Sequence, residues 1–192
     1  MSQGSRKYLS ESGKQLIAPI KGILFFLFLS LAVVVLWKVI NLDGLLWNIL
    51  LPANRKLILF ESPVNYFFVS KVFQIQSVFK LDTITFKNGY SLIEDPLCTG
   101  LKQVIQFSII MLVYSGPFRK KIWYLPCSWL VLIVAAIFHL VILSLTLAVN
   151  PQNYNAFHEH ISRWFFFGIF FLLWLLWEEK IVKHDKSIIG NP

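Results

Sequence analysis

Residues 122–149 read Ile-Trp-Tyr-Leu-Pro-Cys-Ser-Trp-Leu-Val-Leu-Ile-Val-Ala-Ala-Ile-Phe-His-Leu-Val-Ile-Leu-Ser-Leu-Thr-Leu-Ala-Val, a run without one Asp, Glu, Lys or Arg. A helix rises about 1.5 Å per residue, so about 20 such residues cross a hydrocarbon core of roughly 30 Å. This stretch is longer than that and sets the class of the protein. Three more apolar stretches are long enough to span: residues 16–40, 97–115 and 161–177. The sequence therefore predicts an all-α integral membrane protein, a single membrane domain over residues 1–192 with about four transmembrane helices.

Composition agrees. The chain has 192 residues, 56% hydrophobic and only 15% charged, with a mean hydropathy of +0.63, more apolar side chain than a water-soluble core can hide. Eighteen Phe, seven Trp and six Tyr suit a lipid environment, where Trp and Tyr anchor at the interface. The net charge of +8 is gathered in short clusters beside the apolar runs rather than along one face, so the partner is membrane lipid and not nucleic acid. The first apolar run is long enough to stay as an anchor, and no small-residue cleavage site follows it.

Orientation follows from those clusters, because Lys and Arg resist translocation. Arg6, Lys7, Lys14 and Lys21 precede the first span, Arg119, Lys120 and Lys121 separate the second from the third, and Lys180, Lys183 and Lys186 follow the fourth. The loop 150–160 has no Lys or Arg, and in residues 41–96 five basic residues balance five acidic ones. Both termini are thus expected in the cytoplasm, with 41–96 and 150–160 outside.

The outer insertion 41–96 has its own pattern. Leu42, Leu45, Leu46, Ile49 and Leu50 share one helical face that Pro52 closes, the reading of an interfacial amphipathic helix. Ser62-Pro63 is a helix-start signal, and Val64, Phe68, Val72, Ile75 and Phe79 make a second stripe, either interfacial or a further span. Residues 82–87 alternate, Asn88-Gly89 supplies two left-handed turn positions, and 90–93 return as a β-hairpin. Asp95-Pro96 then starts the second span, which places Cys98 in its first turn.

That position makes Cys98 a candidate nucleophile. Unpaired N–H groups and the positive end of the helix dipole favour a thiolate there, and Lys102 lies one turn along the same face. The plainer alternative is a small buried Cys98 with Lys102 snorkelling to the interface. His158 and His160 sit in the loop 150–160, on the same side as Cys98, and an imidazole can take a thiol proton and return it to a leaving amine. His-Glu-His is also a common solvated turn, and no further ligand completes a metal shell around it. His139 lies about one turn below the outer boundary of the third span, either as a functional group or as a helix-to-helix hydrogen-bond donor. Cys127, near the cytoplasmic end of that span, reads as packing, and a disulfide between the two cysteines is not expected.

The order Asn88-Gly89-Tyr90, Asp95-Pro96-Leu97-Cys98-Thr99-Gly100-Leu101, a basic loop, and two more spans separated by a His-bearing outer loop resembles the exosortase/archaeosortase family. The likeness covers roughly residues 80–178, and the final span is most similar to the short exosortases of Bacteroidetes-type bacteria. It implies a cysteine peptidase or transpeptidase of the prokaryotic cytoplasmic membrane that processes C-terminal sorting signals of exported proteins and needs no cofactor or metal. By the same likeness Cys98 is the nucleophile and His158, opening His-Glu-His-Ile-Ser-Arg-Trp, the general acid/base. Where the family has Asn-x-x-Arg, this chain reads Ala136-Ile137-Phe138-His139. An imidazole offers one donor where a guanidinium offers a charged fork. Three alternatives follow: His139 fills the role in reduced form, Arg163 substitutes for it, or the protein is a catalytically silent relative that binds or assembles with export or surface-polymer machinery.

Overall fold

The computed structural model describes residues 3–94 and 99–182, and the chain is mostly helical with one small sheet. Helix α1 (Gln3–Val39) is followed by Asn41, whose left-handed conformation (φ 50°) reverses the chain into α2 (Leu42–Phe67). A π-helical turn (Phe68–Val72) leads to an antiparallel sheet of β1 (Ser77–Lys80), β2 (Thr83–Phe86) and β3 (Ser91–Ile93), in that order. Helix α3 (Leu101–Val113) and helix α4 (Phe118–Val149) follow, then a 3-10 turn (Pro151–Asn153), α5 (Tyr154–Ala156), a π-helical turn (Phe157–Ile161), α6 (Ser162–Trp177) and a last π-helical turn (Glu178–Val182).

The four apolar stretches become α1, α3, α4 and α6, and these four share one core. Phe26 and Val33 of α1, Phe107 and Met111 of α3, Leu132 of α4 and Phe170 and Trp174 of α6 are buried together. Contacts at the two ends fix the directions. Lys121 at the start of α4 meets the end of α3, and Gly22 of α1 lies beside Tyr114 and Trp174. At the other end Lys102 of α3 covers Trp37 of α1, and His139 of α4 reaches Ser162 of α6. Helices α1 and α4 therefore run one way and α3 and α6 the other. We call the Lys121 end basal and the His139 end apical.

Two helical segments, Lys21–Val39 and Phe118–Val149, are long and apolar enough to cross a membrane by length and composition. The second apolar stretch is shorter than expected: α3 begins at Leu101, after Gly100 at φ 73°, rather than at 97, and ends at Val113. The Asp95-Pro96 signal and Cys98 lie outside the described residues, as do Lys183 and Lys186. Gly100 is required where it is: a Cβ there would come within 2.7 Å of the Ala136 Cβ, so α3 starts hard against α4.

The insertion departs further from the sequence reading. Pro52 does not close a helix and Ser62-Pro63 does not open one, since α2 runs through both prolines. A proline costs a helix one hydrogen bond, and helices packed against others tolerate that loss. The stripe expected to run helically to Phe79 ends at Val72, and 77–80 instead pair with β2, Ser77 opposite Phe86. The hairpin forms as expected, but with Gly89 (φ 85°) alone in the left-handed region. Asn88 acts through its side chain instead. Its Nδ2 donates to the carbonyls of Leu147 and Ala148, each at 3.0 Å, and ties the sheet to the end of α4.

Candidate functional site at the apical end

His139 is buried on the inner face of α4. Its Nε2 lies 2.6 Å from Ser162 Oγ, and its ring stacks on Phe165 (5.9 Å between centroids) and meets Phe166 edge-on (5.4 Å). Ser162 Oγ is also 3.5 Å from the Phe157 carbonyl oxygen, and that choice decides the imidazole tautomer. If the hydroxyl donates to Phe157, the ring gives its Nε2–H to Ser162. If the hydroxyl turns to the ring, the proton sits on Nδ1 and becomes a donor for a ligand.

His158 is half-buried in the π-helical turn before α6, stacked on Tyr154 at 5.8 Å, and follows Phe157, whose carbonyl oxygen lies 3.5 Å from the Ser162 Oγ that His139 meets. Helical turns of this kind recur at functional sites because they re-aim side chains. The two histidines, 19 positions apart, are thus brought together by the α4–α6 turn. His160 and Arg163 are exposed, and Lys102 lies over the Trp37 ring at 5.6 Å. Cys127 is exposed, not packed as the sequence suggested.

Both described flanks of the Cys98 segment are held by α2. On one side Glu94 accepts from Ser62 Oγ (2.6 Å) and Asn65 Nδ2 (3.2 Å), and on the other Thr99 Oγ1 donates to Asn54 Oδ1 (2.6 Å). Asn65 also exchanges hydrogen bonds with Ser144 of α4 at 3.0 and 3.1 Å. Next to Thr99, Gly100 presses on Ala136, one helical turn before His139. No family model, curated protein or solved structure matches the chain. Its likeness to exosortases therefore rests on the motifs quoted above, and what the apical end does must follow from its own groups.

One feature of that end escaped the sequence reading, in which Glu61 and Glu94 counted only as loop charges. Glu61 is fully buried, and neither of its carboxyl oxygens has a hydrogen-bond partner among the described residues. Burial, and then the neighbouring Glu94, push it from 4.5 up to about 8, and burial raises Glu94 too. The available signal was Glu61 closing the otherwise apolar run 57–60. Among the described residues no three His, Cys, Asp or Glu side chains gather as a metal-binding group.

The raised value fixes a sign. Between 4.5 and about 8 the folded protein holds a proton that the unfolded chain has released. Stability is then full below 4.5 and falls as pH rises towards 8, by up to about 1.4 kcal/mol per pH unit. In chelator-containing buffer, Glu61→Gln should match the parent near pH 5 and melt about 5 °C or more above it at pH 8.5. Equal pH slopes in thermal melts of parent and variant would contradict this.

Proposed function

We propose that the chain is a four-span membrane protein acting as an exosortase-like cysteine peptidase or transpeptidase on C-terminal sorting signals of exported proteins. The observation that carries this reading is the apical meeting of its two motif segments. Gly100, of Cys98-Thr99-Gly100-Leu101, packs on Ala136, of Ala136-Ile137-Phe138-His139, and His158 joins from the turn before α6. Segments from three parts of the sequence thus meet at one end of the helix bundle, which supports this reading.

The membrane reading is supported by where polar and apolar side chains face. On α4, Ser128, His139 and Ser144 point inward while Trp123, Leu130, Val134 and Phe138 are exposed. Helix α2 repeats the inversion, with Asn54, Glu61, Ser62 and Asn65 inside and Leu45, Ile49, Leu59, Phe60 and Phe67 outside. In water that arrangement would be costly; in lipid, polar groups turn to the protein interior. Helices α1, α3, α4 and α6 are the spans in this reading, with α2 and the sheet at the outer surface. Basal Arg119, Lys120 and Lys180 then face the cytoplasm. Reporter fusions at residues 12, 119 and 190 should read cytoplasmic and those at 90 and 154 external. A cytoplasmic reading at 154 would overturn both topology and site.

In the proposed reaction the Cys98 thiolate attacks the scissile carbonyl, forming a C–S bond and an oxyanion. His139 offers the oxyanion a donor, and His158 passes a proton to the amine that leaves as the C–N bond breaks. An acceptor amine or water then attacks the thioester, gives its proton to His158 and releases the thiolate. The silent-relative reading draws on His139, a single donor where the family has a guanidinium. Thiol reactivity distinguishes the two. Cys98 should react with a membrane-impermeant thiol reagent at neutral pH faster than an ordinary thiol, whereas Cys127, on the lipid side of α4 towards the basal end, should not. A Cys98 as inert as Cys127 would favour the silent relative.

A further inference from the structure

Ionised, Glu61 is a fully buried charge to which no group among the described residues donates. The neighbouring Glu94 is the opposite case. Its two oxygens accept from Ser62 and Asn65, donors that favour the ionised form. An anion held by hydrogen bonds thus stands beside a carboxyl group to which no described residue donates.

The surrounding chemistry narrows what can satisfy both. The polar side chains gathered there are carboxylates (Glu61, Glu94), hydroxyls (Ser62, Ser144) and one amide (Asn65), and Asp82 adds further negative charge to Glu94. The donors of Ser62, Asn65 and Ser144 are already engaged with Glu94 and with one another. What remains unpaired is acceptor oxygen, and acceptor oxygen calls for a cation.

We propose that Glu61 and Glu94 bind a hard divalent cation of the Ca²⁺ type, between α2 and the end of the sheet. Two carboxylates balance a doubly charged ion. Oxygen donors without His or thiolate suit Ca²⁺ rather than zinc or copper. Ca²⁺ accepts irregular geometry and completes its shell with water, whereas Mg²⁺ demands an octahedron. Proton and ion compete for Glu61, so binding strengthens as pH rises. The site uses neither Cys98 nor the histidines and stands whether or not the chain is an enzyme.

The test uses the full-length protein in detergent, stripped with chelator and dialysed against radiolabelled Ca²⁺ at pH 6, 7.5 and 9, with parallel thermal melts and with Mg²⁺ and Na⁺ as competitors. Expected are one Ca²⁺ per chain, tighter binding at higher pH, and a midpoint raised by about 5 °C or more at saturation. Glu61→Gln and Glu94→Gln should each weaken binding at least about tenfold, since each removes a charged ligand, while Cys98→Ala retains it. If Glu94→Gln does not fold, Glu61→Gln decides alone, because it breaks no hydrogen bond. Absence of retained Ca²⁺ in the parent, or undiminished binding by Glu61→Gln, overturns the proposal. So does a pH-dependent stability that Ca²⁺ leaves unchanged, which would assign the pair to a shared proton only.

Discussion

Cys98→Ala should reduce processing of a tagged exported substrate to background, about 10³-fold or more below the parent, as when a covalent nucleophile is removed. The change deletes one sulfur atom and barely alters volume, so the protein should remain in the membrane at its normal level. The flanking structure should survive as well, because it is held from outside the segment: Glu94 by Ser62 and Asn65, Thr99 by Asn54. Abundance and processing measured in the same cells separate lost chemistry from lost protein. Processing at the parental rate would remove the nucleophile from the account.

His139→Leu should cost about 10²- to 10³-fold in processing, the usual loss when one oxyanion donor is removed. Leucine cannot donate, yet it suits a pocket walled by Phe165 and Phe166, so abundance should hold. His139→Arg should keep or raise processing if the imidazole stands in for a guanidinium. It should instead lower abundance and activity together if His139 only packs helices, because the larger charged group would then be buried against lipid or neighbours. Undiminished processing by His139→Leu would exclude a part in the chemistry.

The elements that sequence placed well are those whose signal is local. Residues 122–149 lack any charge, and α4 covers them all; Asn88-Gly89 joins two alternating runs, and β2 and β3 pair across it. Helix α2 was misread because the fate of Pro52 and Pro63 depends on what packs beside them. β1 was misread because Phe79 falls by coincidence on a helical stripe, while its partner strand lies further along the chain. Lys121 looked like a loop charge, yet its Nζ donates to the carbonyls of Leu112 (3.1 Å) and Tyr114 (2.5 Å) and caps the end of α3.

The candidate site divides the same way. Placing His139 and His158 near one end needed only span length and loop order, and Ser162 links His139 to the turn that carries His158. The Ser162 hydroxyl that sets the imidazole tautomer could not be read, because it depends on how α6 is rotated against α4. The Glu61–Glu94 pair was equally hidden. Its members are 33 positions apart in a segment whose charges balance, and their burial exists only once the sheet and α2 close over them.

The proposed reaction puts the acyl group of a cleaved sorting signal on Cys98. The direct measurement is the intact mass of the purified protein after incubation with a sorting-signal peptide in the absence of an acceptor amine, with and without hydroxylamine. Expected is an added mass equal to the acyl fragment, mapped to Cys98, released by hydroxylamine and absent from Cys98→Ala. Cleavage of the peptide without any adduct on Cys98, or an adduct that survives in Cys98→Ala, would contradict it.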